Sequence, residues 1–196
     1  LYGIEDSQFD NNTEMFNFIH QMRCRIVTSP VFTGQRILGA ILFEDTLDRE
    51  IANKNSASYL WQEKQIVPFL KIDQGLANST DGVQLMKPIH GLAKLLNKAV
   101  EHDVFGTKMR SLITQANGKA IHAAVEQQFS IAKQVLSTGL TPIIEPEIAI
   151  NTPDKAAAES LLSTALLTQL DLLTTDQQVM LKITPPEINN FYSACI

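Results

Sequence analysis

The chain has 196 residues, 44% hydrophobic and 19% charged, which is the makeup of a globular chain with a real core and not of a disordered segment. A net charge of −5 argues against a nucleic-acid or anionic-membrane surface as the main partner. Cys24 and Cys195 form no paired motif, no apolar run approaches the roughly 18 residues of a membrane span, and no signal peptide is visible. These points predict a cytoplasmic protein without a disulfide framework.

Leu1 to Asn12 is polar and turn-rich. Thr13 reads as the cap of a helix that places Met15, Phe16, Ile19, Met22 and Ile26 at helical spacing, and Ser29-Pro30 ends it. Ile37 to Phe43 is a short apolar run closed by Glu44 and Asp45, and it predicts a buried strand. Asp48 to Gln65 carries a mostly helical pattern. Val67 to Ile72 is the second strand-like run and ends on Lys71 and Asp73. His90 to His102 is an amphipathic helix, with Leu92, Leu95, Leu96 and Val100 on one face. Val104 to Arg110 is the third run and carries Lys108 and Arg110. Lys119 to Ser137 is a helix closed by Gly139. Thr141 to Glu147 is the fourth run, with Glu145 and Glu147. Thr152 and Pro153 open a helix that runs to Leu173. Val179 to Ile183 is the fifth run, a short buried strand holding Lys182. The sequence begins without methionine and stops inside what reads as a new helix, so both ends are expected to be cut.

Strands alternating with helices predict a parallel sheet with helices outside it. No Gly-rich phosphate loop follows any strand, which counts against a doubly wound sheet. Charged residues instead close strand after strand: Glu44, Lys71, Lys108 with Arg110, Glu145 with Glu147, then Lys182. That is the pattern of a (β/α)8 barrel, whose functional residues sit at the C-terminal ends of its strands. A full barrel takes about eight units and about 250 residues, so an incomplete TIM barrel of about five units is expected.

Lys182 sits in its apolar run with no charged neighbour in sequence. Such a lysine either snorkels to an edge or is kept for its amine. Strand side chains alternate faces, so Lys108 and Arg110 point one way together, as do Glu145 and Glu147. In a barrel both pairs approach Lys182, where neighbouring cations and partial burial favour a free amine. A free amine attacks carbonyls to form a Schiff base, and a carboxylic acid beside it moves the protons. Taken singly, each charge also reads as an ordinary ion-pair network or a helix-entry acid. His20, His90, His102 and His122 are scattered, so no metal site is expected.

Together, ILGAILFEDTLDRE, FLKIDQG with DGVQLMKP, FGTKMR, TPIIEPEI and VMLKIT resemble class I fructose-bisphosphate aldolase, in its shorter bacterial form. The resemblance spans nearly the whole chain and keeps the motif order. It implies a metal- and cofactor-free barrel lyase of glycolysis and gluconeogenesis that reversibly cleaves fructose 1,6-bisphosphate to dihydroxyacetone phosphate and glyceraldehyde 3-phosphate. Lys182 then matches the Schiff-base lysine and Glu145 the acid/base glutamate. Glu147 matches a carboxylate supporting the charge network, and Lys108 the lysine that assists protonation and cleavage. Arg110 and Lys71 match substrate- and phosphate-binding residues, and Glu44 is counted with them. Gln74 departs from the pattern, since relatives often carry lysine there.

The family's first strand, with an aspartate, and its seventh and eighth strands, with a phosphate loop and an arginine, find no match. Residues 1–196 are therefore expected to be one aldolase domain cut at both ends, spanning the second to sixth units and poorly active alone. The partner is a sugar phosphate, not a nucleic acid or membrane, and the oligomeric state is not read. The alternatives are another Schiff-base barrel lyase of transaldolase type and a catalytically dead barrel that binds a partner.

Overall fold

The computed structural model describes residues 9–196, so the first eight residues of the expected polar stretch lie outside it. The chain gathers into two compact units: one runs up to Leu70 and adds Glu101–Phe105, and the other comprises Lys71–Val100 and Gly106–Ile196.

In the first unit, helix α1 (Asn12–Thr28) is capped by Asn11 and not by Thr13. The Asn11 side chain accepts from the Glu14 N–H at 3.0 Å, while the Glu14 carboxylate reaches back to the Asp10 N–H at 2.8 Å. This reciprocal pairing satisfies two otherwise unpaired helix-entry donors. Ser29 ends the helix before Pro30, as expected. No residue of α1 is buried, so its apolar spacing makes a helix without filling a core.

Strand β1 (Gly39–Leu42) follows, with Gly39 and Ile41 exposed and only Leu42 buried, so it is not the buried strand expected; a single helical turn, α2 (Glu44–Leu47), comes next. The helix expected from Asp48 begins instead as a tight hairpin of β2 (Glu50–Ile51) and β3 (Lys54–Asn55). Ala52 and Asn53 both take positive φ, 51° and 62°, as a two-residue primed turn requires. The segment lacks the Asn-Gly or Asp-Gly signal that would announce such a turn, which is why the pattern reads as helical. Helix α3 (Ser56–Tyr59) then runs into a π-helical turn, Leu60–Lys64, closed by Gln65 in the left-handed region. Gly34 lies directly on that closure. A Cβ there would collide with the Gln65 carbonyl oxygen. Strand β4 (Val67–Lys71) pairs in parallel with β1, Gly39 opposite Val67 and Leu42 opposite Leu70. Leu42, Leu47, Ile51, Leu60, Ile66 and Leu70 form the buried core of this unit.

The second unit adds β5 (Val83–Gln84), α4 (Leu92–Glu101, which ends in the first unit), β6 (Gly106–Ile113), α5 (Gly118–Leu136), β7 (Thr141–Ile148), α6 (Lys155–Leu170) and β8 (Met180–Leu181). Strands β6, β7 and β8 run parallel, and β5 adds antiparallel to the end of β6. All five runs picked out as strands are strands. Helices α5 and α6 pack on each other and on β7, with Ile121, Ala124, Val125, Phe129, Ala132 and Val135 of α5 fully buried. Met109, Ser111 and Ile113 of β6 and Ile144 and Ile148 of β7 are buried on the helix side. Lys108, Arg110, Glu145 and Glu147 therefore share the opposite face, because Arg110 pairs with Glu145 in the register.

Two expectations shift. Thr152 does not cap α6. Its hydroxyl donates to the Ile113 carbonyl at 3.5 Å, and the helix starts at Lys155 and stops at Leu170. The fifth strand is two residues long, and Met180 is 40% exposed, so it is not the buried strand expected. Among the described residues it is the outermost strand of its sheet, where one edge lacks the strand neighbour that a central strand has.

After β8 the chain is tied to α6. Lys155 Nζ donates to the Glu159 carboxylate at 2.5 Å and to the Pro185 carbonyl at 3.0 Å, and Glu159 accepts from the Glu187 N–H at 3.3 Å. Tyr192 is buried nearby, and burial, then Glu159, then Cys195 push its hydroxyl pKa up. Burial also raises Cys24 and Cys195. A raised folded pKa contributes stability that is whole below the unfolded value, about 10 for tyrosine, and is lost as pH rises past it. Melting temperature is thus expected to fall between pH 9 and pH 11 on general titration grounds, and Tyr192→Phe should flatten the upper part of that fall. An unchanged slope in the variant would show that Tyr192 takes no part.

Candidate active site

Glu145 is the hub of the candidate site. It lies on β7 with 3% of its surface exposed, between two lysines from the neighbouring strands. Its Oε2 is ion-paired with Lys108 of β6, itself 7% exposed. Its Oε1 accepts from the Nζ of Lys182, just past the end of β8. The Lys182 backbone N–H donates to the Ile144 carbonyl at 2.9 Å, which carries the parallel ladder one residue beyond β8 and sets the ammonium beside Glu145.

One pair position further along, Arg110 Nε meets Glu147 Oε2 at 2.5 Å, and both side chains are about one-third exposed, 36% and 34%. The site is thus graded, with a buried Lys108–Glu145 pair at depth and a solvated Arg110–Glu147 pair nearer the opening. A cavity of about 320 Å³ is lined by Glu145, Glu147, Ile148, Ile150, Lys182 and the Ile183–Pro185 segment. The Thr184 hydroxyl donates to the Ile148 carbonyl at 2.7 Å and holds that wall in place.

Five of the seven residues singled out from the sequence, Lys108, Arg110, Glu145, Glu147 and Lys182, therefore share one face of one unit. Lys71, at the end of β4, donates to the Asp73 carbonyl at 2.9 Å and to its carboxylate at 2.5 Å. Glu44 opens α2 in the first unit and is exposed. Gln74, at the position where lysine was expected from the resemblance, donates to the His90 carbonyl at 3.2 Å.

The burial expected for Lys182 is not found. Its side chain is 56% exposed. What acts on it is the carboxylate. Two lysine side chains thus meet a single carboxylate. A proton passing from Lys182 to Glu145 along their hydrogen bond leaves a nucleophilic amine facing the cavity and a carboxylic acid within reach of the same atoms.

The sequence reading missed Asp73. It is 9% exposed and holds Lys71 by one oxygen, while the other finds no hydrogen-bond partner among the described residues. The motif FLKIDQG contained it, and its place two residues after Lys71, on the same side of an extended chain, was the available signal. Gln128 was missed as well. It falls on the buried apolar stripe of α5, where an amide stands out. Among the described residues no group of three or more His, Cys, Asp or Glu could hold a metal ion. No described helix is long and apolar enough to cross a membrane.

The sequence model of the class-I fructose-bisphosphate aldolase family matches residues 5–185. The chain belongs to that family. Fructose-bisphosphate aldolase class 1 of Synechocystis sp. is 56% identical over 195 residues, covering 100% of this chain and 65% of the relative. Fructose-bisphosphate aldolase of Plasmodium falciparum, solved in complex with TRAP and a small-molecule inhibitor, superposes with a TM-score of 0.59 at 24% identity. That match covers 76% of this chain and 47% of the Plasmodium chain. At that identity the likeness carries the fold alone, and it agrees with the α/β barrel class expected from the alternating elements. The chain thus spans less than two-thirds of the length of either relative.

Proposed function

We propose that this chain carries the Schiff-base centre of a fructose-bisphosphate aldolase, cleaving fructose 1,6-bisphosphate to dihydroxyacetone phosphate and glyceraldehyde 3-phosphate in a cytoplasmic setting. The observation that carries the reading is one buried carboxylate, Glu145, shared by a buried lysine and an exposed one. Lys182 is the amine that captures the ketone carbon of the substrate. Glu145 gives its proton to the departing carbinolamine hydroxyl, which leaves as water, and an iminium forms. The electrons of the breaking C–C bond flow into that iminium as a base takes the proton of the adjacent hydroxyl. Lys108 holds Glu145 and supplies positive charge at depth. Glu147 keeps Arg110 oriented, and Arg110 and Lys71 bind the anionic ends of the substrate. The family match runs without a break from 5 to 185 through both units, which supports reading residues 1–196 as parts of one barrel domain.

The test uses the full-length protein, dihydroxyacetone phosphate and borohydride, with the adduct located by mass. One adduct on Lys182 is expected. A folded protein that forms none overturns the reading in favour of a binding protein. An adduct formed only with a different keto substrate replaces it with another Schiff-base lyase.

A further inference from the structure

Beside the charged residues lies a buried side-chain amide that the chemistry above does not use. Gln128 projects from α5 and is fully buried. Its Oε1 accepts from the backbone N–H of Glu145 at 2.8 Å, and its Nε2 donates to Ser111 Oγ at 2.6 Å. Ser111 is also fully buried and follows Arg110 on β6. One amide thus links the helix to both strands that carry the site, at Glu145 itself and next to Arg110.

Packing alone does not call for it. The neighbouring positions of the stripe, Ala124, Val125, Phe129 and Ala132, are apolar. A buried amide is tolerated only when its polar atoms are matched, and here the partners lie at the hub residue. Holding the Glu145 nitrogen anchors the backbone from which its carboxylate reaches Lys108 and Lys182.

We propose that Gln128 is a positioning residue for Glu145, a role that deepens the aldolase reading and rests on it. It touches no substrate and sets the carboxylate between the two lysines from the outer face of the sheet. Displacement of a reacting group by about 1 Å costs on the order of 100-fold in rate. Gln128→Met fills the same space and removes both hydrogen bonds. In the full-length protein it is expected to lower kcat about 10- to 100-fold on that scale, with KM within about threefold. Gln128→Glu should restore much of the rate. Ionised, it accepts from the Glu145 N–H while the Ser111 hydroxyl turns to donate. Protonated, it reproduces both bonds of the amide.

A second readout needs no turnover: the rate at which acetic anhydride labels Lys182, relative to the surface residue Lys119. Loosening Glu145 frees the Lys182 amine from its hydrogen bond to the carboxylate, so Gln128→Met should raise that ratio severalfold. Adduct formation by the wild type at Lys182 tests the aldolase reading, and the labelling ratio tests Gln128 whether or not that reading stands. Folded Gln128→Met with unchanged kcat and an unchanged labelling ratio overturns the proposal. So does a loss of rate that only tracks the fraction folded and that Gln128→Glu does not reverse.

Discussion

Glu145→Ala is expected to cost the fold roughly 3–5 kcal/mol, the usual penalty for leaving a buried charge without its partner. Lys108 is 7% exposed and its ion-pair partner is the Glu145 carboxylate. With the carboxylate gone, an ammonium stays in a site that water barely reaches. Lys182 loses its partner too, but at 56% exposure water takes over most of what the carboxylate supplied. The loss therefore comes mainly from Lys108. A double substitution separates the two contributions. Glu145→Gln with Lys108→Met replaces both members of the buried pair and should recover much of the stability lost by Glu145→Gln alone, because no unpaired charge remains. Urea unfolding of the wild type, the two single variants and the double variant measures this coupling directly. Additive losses would mean that the buried pair does not hold the strands together. On the aldolase reading, every variant lacking the Glu145 carboxylate also loses turnover by about 10²- to 10⁴-fold, the usual range for a general acid–base group.

The difference between what the sequence showed and what it hid has a physical origin. Strands β1, β4, β6 and β7 are short apolar runs bounded by charge, and in β4, β6 and β7 that pattern survives folding because both faces of each strand are largely covered. The hairpin at Ala52-Asn53 was hidden because its turn depends on two positive φ values in residues that do not advertise them. The cap of α1 is Asn11, whose side chain accepts from the Glu14 N–H, and Thr152 does not cap α6 because its hydroxyl is engaged with the Ile113 carbonyl. The charged partners were legible as a set, since same-face spacing on β6 and β7 places Lys108 with Arg110 and Glu145 with Glu147. The exposure of Lys182 was not legible. An apolar flank in sequence says nothing of which strand ends at an edge. Gln128 went unread for a related reason: it acts on Glu145, a partner whose identity appears only once α5 is placed against β7, whereas Asp73 lies two residues from Lys71 and its spacing was readable.

Lys182→Met is expected to give the opposite signature to Glu145→Ala. The ammonium is more than half exposed, and exposed ion pairs contribute only about 0–1 kcal/mol, so stability should change by no more than that. Glu145 keeps Lys108 as its counter-charge, so no buried group is stranded. Covalent capture, by contrast, should vanish, because a thioether cannot add to a carbonyl. Lys182→Arg sharpens the result. It preserves a cation that can still donate to Glu145, yet its guanidinium remains protonated and does not form the imine. Both variants should melt close to the wild type and give no adduct with dihydroxyacetone phosphate and borohydride. An adduct persisting in Lys182→Arg would move the nucleophile to another amine. Lys108 is then the first to test, since it is ion-paired with the same carboxylate and would need that acid for the same dehydration. A variant that loses several kcal/mol would instead place Lys182 in the structural core of the site, against an exposure that leaves its ammonium largely to water.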